Sequence, residues 1–326
     1  MKQEGFALLV VLMFLGIMSA LAVNMTTRFQ TNLKRTEFQG EDLQHQWLFR
    51  LAEERALAIL RQSLEDSPKL TSREQFWAQP QSLEIDERTR LTWQLYSGQD
   101  CYNLNALANV PTDSQKEEPY SVAVFRAILA QAGVEGLNAD ALIDAIADYI
   151  DKDNIRRRDG AEDDDYSDKP MRFVANQPLF TVSEIRSIKG MSATLYNKLL
   201  PWLCVQENTV LQINVSFLTP NKAPLVAALF LNKLSTDDAR KVLLNAPEFG
   251  WSAPEQLLTA TDRAYPHLKD AVNVAKGGLT SQSDYFVLIS RISRDDKIFT
   301  RRSDLFYQRK SRELWVYSHQ RVFNDE

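Results

Sequence analysis

The chain opens with its most apolar stretch. Residues 6–23 (FALLVVLMFLGIMSALAV) are 18 consecutive positions without a charged side chain, which is long enough to cross a bilayer as a helix. Apolar residues then recur at roughly helical spacing between Phe29 and Leu60, a pattern that favours continuation of the helix. We predict one long helix over about residues 6–64, with its first part in lipid and its second part packed on a domain.

Two regions of the chain have the pattern of β-strands. Residues 91–105 (LTWQLYSGQDCYNLN) alternate in part and predict one or two strands, with a turn at 97–100. We expect the sheet to begin there. Near the C-terminus, residues 284–292, 297–308 and 312–321 are dense in Tyr, Phe, Val, Ile and Trp, which predicts an antiparallel meander.

Helical patterns fill the segment between the two β regions. They cover most of residues 120–205, and they return at 223–233, 235–246 and 253–260 after a predicted strand at 211–215. The fold class is therefore α+β: a long N-terminal helix packed on an antiparallel sheet, with a large inserted all-α domain.

Composition narrows the function classes. With 326 residues and 44% hydrophobic positions, the chain can bury a substantial core. Its net charge of -5 gives no overall attraction to phosphate backbones. Cys101 and Cys204 are the only two cysteines, which excludes a Cys-rich zinc module and leaves open either free thiols or one disulfide. The choice between them depends on the compartment.

An acidic loop, defined here as residues 151–168, is the one segment with candidate metal chemistry. Six of the ten residues from Asp159 to Asp168 are acidic, and such carboxylates repel one another unless they are solvated or neutralised. A solvated acidic loop is one interpretation. Calcium is the other, because an Asp-x-Asp pair follows a predicted helix and Gly160 allows a sharp turn. The candidate ligands are Asp148, Asp151, Asp153, Asp159, Glu162, Asp163 and Asp165.

The N-terminus carries a family resemblance. A short polar leader ending in glycine (MKQEG), followed by Phe6 and the apolar run, resembles the class III signal of type IV pilins and pseudopilins. The resemblance implies that a prepilin peptidase cuts between Gly5 and Phe6 and methylates the new terminus. Val10 would then be the fifth mature residue, where most members carry glutamate. Lack of this glutamate is typical of the K-type minor pseudopilin, whose place at the fibre tip leaves no neighbour above it to neutralise.

The rest of the chain extends the resemblance to the K-type minor pseudopilin of type II secretion systems over nearly the full length. The motifs that carry it are DYIDKDNIRRRDGAEDDDY, ANQPLFTVSEIRSIKGM and QINV. The resemblance implies a structural subunit at the pseudopilus tip, without enzymatic activity, that helps to initiate assembly and export of folded proteins. Its implied partners are the I-type and J-type minor pseudopilins and the major pseudopilin. It also implies calcium bound in the inserted domain.

The implied location is the bacterial inner membrane, with a single span and the soluble domain in the periplasm. An oxidising compartment favours a Cys101–Cys204 disulfide over two buried thiols. The positive-inside count favours the opposite orientation, because Arg28, Lys34 and Arg35 follow the span whereas Lys2 precedes it.

On this basis the predicted organisation is a prepilin leader at 1–5, a transmembrane part at 6–23, a pilin-like helix and first strands at 24–105, an inserted α-helical domain at 106–208, a strand with further helices at 209–280, and a closing β-meander at 281–326.

Two other function classes match parts of the sequence. Residues 180–203 resemble a helix-hairpin-helix with its hairpin at Ile188–Met191, which would make the chain an anchored nucleic-acid binder. Ser192 stands where a second glycine is usual, and the acidic loop would repel phosphate. The other class is an anchored metal-dependent hydrolase, but His45, His267 and His319 form no recognised catalytic motif.

Overall fold

We describe a computed structural model that covers residues 4–111, 117–166 and 173–322. The helices are α1 (Glu4–Asp66), α2 (Tyr120–Gln131), α3 (Leu137–Ile150), α4 (Ala193–Leu199), α5 (Ala223–Leu229), α6 (Thr236–Leu244), α7 (Pro254–Ala264) and α8 (Lys269–Ala275). The strands are β1 (Gln81–Glu84), β2 (Thr89–Ser97), β3 (Tyr102–Asn103), β4 (Leu203–Cys204), β5 (Ile213–Asn214), β6 (Leu279–Thr280), β7 (Tyr285–Arg294), β8 (Lys297–Gln308) and β9 (Glu313–Val322).

Helix α1 is one continuous helix of 63 residues, which confirms the predicted long N-terminal helix. Its C-terminal half packs on the sheet through Ala52, Ala56, Leu60 and Leu64, each at most 2% exposed. Residues four apart lie on one face of a helix, and the two alanines allow close approach to the strands. By contrast, residues 8–44 of this helix are exposed, apart from two half-buried positions.

The main sheet has five antiparallel strands in the order β1-β2-β7-β8-β9. The three predicted strands of the C-terminal meander are confirmed as β7, β8 and β9. The expected start of the sheet needs a correction, because β1 precedes it and pairs Leu83 with Leu91. Tyr102 and Asn103 also leave this sheet: they form β3, which pairs in parallel with β4.

Most of the helices share a second hydrophobic core that runs from Tyr102 to Leu279. The chain makes two helical excursions into this core, one at about 104–202 and one at about 215–278. Each is closed at its base by a two-residue parallel pair, Tyr102 with Leu203 and Ile213 with Leu279. The predicted segments 106–208 and 209–280 therefore pack together around one core.

A disulfide joins Cys101 to Cys204 beside the first of these parallel pairs. Their Cα atoms are 5.7 Å apart and 103 residues separate them in sequence. The predicted bond is confirmed, and the alternative of two free thiols is wrong. The bond fixes the two stems of the first excursion at the point where the chain leaves the sheet.

Candidate metal site in the acidic loop

Helix α3 presents its last turns to the acidic loop. The apolar positions of α3, such as Leu142 and Ile146, are at most 2% exposed and bury one face of the helix. Asp148 lies on the same buried side, with 0% exposure, and it faces the returning chain at residues 157–161. A carboxylate in such a position needs hydrogen-bond donors, since an unpaired buried charge is strongly unfavourable.

The returning chain supplies those donors. The backbone N–H of Arg157 donates to both oxygens of Asp148 at 3.2 Å, and that of Ala161 donates at 2.9 Å. The Arg157 guanidinium adds a bond from Nη1 at 2.7 Å, and it also pairs with Asp151. Gly160 passes so close that a Cβ there would collide with Asp148 Oδ2, so the loop requires glycine at this position.

Glu162 is the unsatisfied carboxylate in the described part of the loop. It is 7% exposed, and neither carboxylate oxygen has a hydrogen-bond partner. Burial, together with the charges of Asp148, Asp151, Asp163 and Asp153, raises its pKa from 4.5 to about 7. A buried carboxylate surrounded by other carboxylates is the arrangement that a bound cation would stabilise.

Three of these neighbours, Asp151, Asp153 and Asp163, have oxygens engaged by backbone N–H groups. Asp151 Oδ1 accepts from the backbone N–H of Asp153 at 3.3 Å, and Asp153 Oδ1 accepts from that of Ile155 at 2.9 Å. Asp163 Oδ1 accepts from Val174 N at 2.9 Å. Each of these bonds uses one oxygen, and each carboxylate has about four lone-pair sites.

Two other predicted ligands are engaged elsewhere. Asp165 pairs with Lys189 Nζ at 2.9 Å and with Arg156 at 3.4 Å. Asp159 is held by its backbone N–H, which donates to Asp144 at 3.2 Å, and its own carboxylate lies 3.9 Å from exposed Arg158. The acidic Asp168 lies outside the described residues.

Carboxylate oxygens are suitable ligands for a hard cation, but these carboxylates do not converge on one point in the structure. Among the residues that the structure describes, no three His, Cys, Asp or Glu side chains are grouped as a metal site as they stand. The orphaned oxygens of Glu162 and the all-oxygen donor set nevertheless match what calcium takes as ligands.

Arg157 is the residue of the loop that the sequence analysis did not single out. Its side chain is 5% exposed and bonds Asp148, Asp151 and the carbonyl of Val110. The run of three arginines before Gly160 (RRRDG) was the available signal, since a base beside so many acids is a candidate partner.

The hairpin at Ile188–Met191 packs against the acidic loop. Gly190 has φ +89° at its turn, the left-handed region that favours glycine. Ile185 and Ile188 are buried in the helical core, and Lys189 forms an ion pair with Asp165. The hairpin thus has a structural role within this fold.

The three histidines lie far apart in the fold. His45 of α1 is 9% exposed and stacks on Phe299, with ring centroids 4.1 Å apart. His319 of β9 lies 2.8 Å from Glu53 of α1, and His267 packs edge-on against Tyr265. Each of them has a packing or hydrogen-bonding role.

At the N-terminus, Gly5, Phe6 and Val10 lie in the first two turns of α1. The window of highest hydropathy in this helix averages 2.4 and has no share buried within the protein. By length and composition the helix can cross a membrane.

Comparison with known proteins shows which family this chain resembles. A family model described as type II secretion system (T2SS), protein K, matches residues 100–208. A relative from Escherichia coli (strain K12), provisionally named as type II secretion system protein K, is 40% identical over 97% of both chains. The type II secretion system protein K of Pectobacterium carotovorum subsp. carotovorum is 33% identical over 93% of this chain and 92% of its own.

A solved structure also matches. It is described as the GspK-GspI-GspJ complex from the enterotoxigenic Escherichia coli type 2 secretion system. The matching chain is 31% identical, and the alignment covers 89% of this chain and 100% of that one with a TM-score of 0.75.

Proposed function

The chain belongs to the type II secretion system protein K family of minor pseudopilins, and from this premise we propose that it caps the pseudopilus tip together with I-type and J-type minor pseudopilins. The observation that carries the proposal is the fold match to a solved chain described as part of a GspK-GspI-GspJ complex. In this role the chain helps to initiate fibre assembly on the major pseudopilin, and so the export of folded proteins.

Co-purification tests the partners. The chain in detergent, mixed with the two minor pseudopilins, should elute as one ternary complex on size exclusion. Separate elution of all three proteins at micromolar concentration would contradict the proposal. The match to a chain of a GspK-GspI-GspJ complex, at 31% identity, supports these partners.

The proposed place of this chain at the fibre tip depends on Val10. In a low-dielectric helical core, a glutamate can neutralise the terminal ammonium of a neighbouring subunit, and valine cannot. We expect Val10→Glu to allow incorporation below the tip, so that immunogold label appears along the fibre, whereas Val10→Ala stays at the ends. Label confined to the ends in Val10→Glu would refute the assignment.

The N-terminal leader is proposed to be removed. Mass spectrometry of the assembled protein should find methylated Phe6 as the first residue. An intact Met1 in an assembled secretion system would contradict both the leader and the prepilin peptidase as a partner.

The proposed location is the bacterial inner membrane, with the soluble domain in the periplasm. The disulfide supports this side, because such bonds persist in oxidising compartments, and we give it more weight than the positive charges of Arg28, Lys34 and Arg35. Protease added after the outer membrane is opened should digest the soluble domain. Protection until the inner membrane is lysed would place the domain in the cytoplasm.

Calcium is the proposed structural cofactor. Glu162, Asp151, Asp153 and Asp163 are the residues that would hold it, and Glu162 is the strongest member because both of its oxygens are buried and unpartnered. When bound, calcium supplies positive charge that lets these carboxylates stay ionised side by side. The free energy gained is about 2.7 kcal/mol at a hundredfold excess over the dissociation constant. Scanning calorimetry of metal-stripped protein, with calcium or with chelator, tests this; identical curves would refute it.

Nucleic-acid binding finds no support in the comparisons. We expect no retention on heparin at low salt, because Lys189 of the hairpin is paired with Asp165 and the neighbouring carboxylates repel phosphate. We likewise propose no catalytic role. A screen for phosphatase and nuclease turnover with calcium and magnesium should show none.

A further inference from the structure

Arg73 lies where the two hydrophobic cores of the molecule meet. It belongs to the connection between α1 and β1, and its Nη2 atom lies 3.0 Å from the position that a Cβ on Gly250 would take. The residue after Gly250, Trp251, is buried in the core of the helices, whereas Trp77, which follows Arg73 in the same connection, is buried in the core of the sheet. Arg73 therefore lies in the seam between the helices and the sheet.

The guanidinium of Arg73 has no acidic partner among the residues that the structure describes. The residue is half-buried, and its Nε is enclosed without a hydrogen-bond acceptor. Burial lowers the pKa of Arg73, without an opposing effect of any described carboxylate. Arg157 and Arg309, by contrast, pair with carboxylates at 2.7 and 2.5 Å. Because a desolvated charge without a partner is unfavourable, the lack of a counterion at Arg73 calls for an explanation.

The two segments that meet at Arg73 carry further groups without a partner. Trp251 is 6% exposed, and its indole Nε1 has no acceptor in the described part of the chain. On the surface, Phe76 is 63% exposed and Phe249 is 44% exposed, one on each segment. Aromatic rings and arginine are enriched where one protein surface covers another, so these features together indicate an interface.

The backbone around Arg73 is held in place by the chain itself. The carbonyl of Arg73 accepts from Gln79 Nε2 at 2.8 Å. Gln75 Oε1 accepts from Ser72 N at 2.9 Å and from Trp77 Nε1 at 2.8 Å. These bonds fix the loop against the buried indole of Trp77, so a partner that binds here loses little affinity to ordering of the backbone.

We propose that Arg73, together with Phe76 and Phe249, docks an Asp or Glu side chain of a neighbouring subunit in the tip complex. The planar fork of a guanidinium fits a carboxylate through two parallel hydrogen bonds. Nε is the enclosed nitrogen, so Nη1 and Nη2 are available for them. The two exposed rings favour a protein carboxylate over a small free anion, because a small anion would leave the rings uncovered. The inference rests on the proposed tip complex and places part of its interface at the seam.

The test is Arg73→Gln in the full chain in detergent, titrated with the two minor pseudopilins of the tip complex. The affinity of the complex should fall at least about tenfold, the scale of one hydrogen bond to a charged group. The urea midpoint of the free chain should not fall, because the variant removes a desolvated charge without breaking an ion pair. Arg73→Lys keeps the charge but not the fork, so it should recover part of the affinity. The matched control is Arg240→Gln at an exposed position of α6, which removes the same charge and should change neither measurement.

Three results would overturn the inference when wild type forms the complex. One is an unchanged affinity in Arg73→Gln. Another is a loss of affinity in Arg73→Gln that is matched by a fall in the urea midpoint of the free chain, since Arg73 would then have a structural role. The third concerns free acetate: if acetate raises the urea midpoint of wild type and not of Arg73→Gln, while both bind the partners equally, the seam takes small anions.

A measurement on wild type covers the case in which Arg73→Gln fails to fold. Hydrogen exchange of the backbone at 72–79 and 247–251 should become slower when the free chain enters the complex. Unchanged exchange in both segments would overturn the inference. If wild type forms no complex with the two minor pseudopilins, the proposed function fails and takes the inference with it; in every other negative outcome the complex forms and only the inference fails.

Discussion

The disulfide offers a sharp test of how the helical unit is stabilised. Replacing Cys101 and Cys204 with alanine opens a loop closed across 103 residues. On the chain-entropy model such a cross-link contributes about 4.7 kcal/mol, chiefly by restricting the unfolded chain. A compact unfolded state lowers this figure, so we expect a loss of about 3–5 kcal/mol in unfolding free energy.

The native base of the excursion should survive the change, because polar side chains also close it. Asn105 Nδ2 donates to the carbonyls of Leu179 and Gln206 at 3.0 and 2.7 Å, and Asn103 Oδ1 accepts from Gln206 N at 3.0 Å. These bonds need no sulfur. The variant should therefore keep wild-type hydrogen exchange at 101–107 under native conditions while its urea midpoint falls.

The assay is urea unfolding of the full chain in detergent, followed by tyrosine and tryptophan fluorescence. Reduced wild type should match the double alanine variant, and reductant should have no effect on that variant. A loss below about 1 kcal/mol, with an unchanged denaturant slope, would refute the entropic reasoning. Fast exchange at 101–107 in the variant would instead make the bond a clamp on the native state.

Three further predictions follow from individual side chains. Glu162→Gln should stabilise the metal-free protein at pH 8 by roughly 2–3 kcal/mol and should reduce the calcium response. The pKa of Glu162 is raised from 4.5 to about 7, so the wild type loses stability in the absence of metal as the pH rises through this window. Equal melting curves for both proteins in chelator would contradict this prediction. Burial, with smaller effects of Arg294 and Arg321, lowers the pKa of His45 below 6.5. The wild type should therefore lose stability as the pH falls below 6.5, whereas His45→Phe should not. The control is His267→Gln, at an exposed histidine. Gly160→Ala should lower the free energy of unfolding by at least about 2 kcal/mol, because its Cβ would collide with Asp148. Gly277→Ala, whose Cβ has its nearest neighbour at 3.8 Å, should be close to neutral. Equal midpoints of unfolding in urea would refute the steric argument.

The long helix and the C-terminal strands were predictable from the sequence. Apolar residues at helical spacing indicated the helix, and the density of aromatic and β-branched residues indicated strands β7 to β9. Strand β1 was not predicted from the sequence, because it has no buried residue and only one half-buried position, Gln81. Its place at the sheet edge is defined by backbone pairing with β2, which leaves no apolar pattern.

The two-residue strands could not be predicted from periodicity, but they share a local signal. Asn103 accepts from the N–H of Asn105, and Asn214 accepts in the same way from Ser216. Each asparagine caps a 3-10 turn immediately after its strand, a frequent role for this side chain. The repeated Asn-x-(Asn/Ser) pattern therefore marks both places where the chain enters the helical core.

The acidic composition of the loop was evident from the sequence, whereas the arrangement of its side chains was not. Sequence spacing placed seven carboxylates near one another, yet the partners that divide them come from distant positions: Lys189 for Asp165, and Val174 for Asp163. The burial of Glu162 depends on how the loop folds back on α3, which no local pattern encodes. Arg157, nine residues after Asp148, pairs with both Asp148 and Asp151.

The helical unit is inserted between two strands that remain neighbours in the sheet. The chain leaves β2 at Gly98, whose N–H donates to the carbonyl of Tyr285 at 2.8 Å, and β7 begins at that same tyrosine. Strands β2 and β7 pair without a gap, Leu95 opposite Leu288, although more than a hundred residues separate them. Loop-closure entropy grows slowly with length, so such an insertion costs the sheet little. Because the insertion begins and ends at one point, helix α1 and the five-stranded sheet keep their own continuous core, and the disulfide closes the inserted unit at its base.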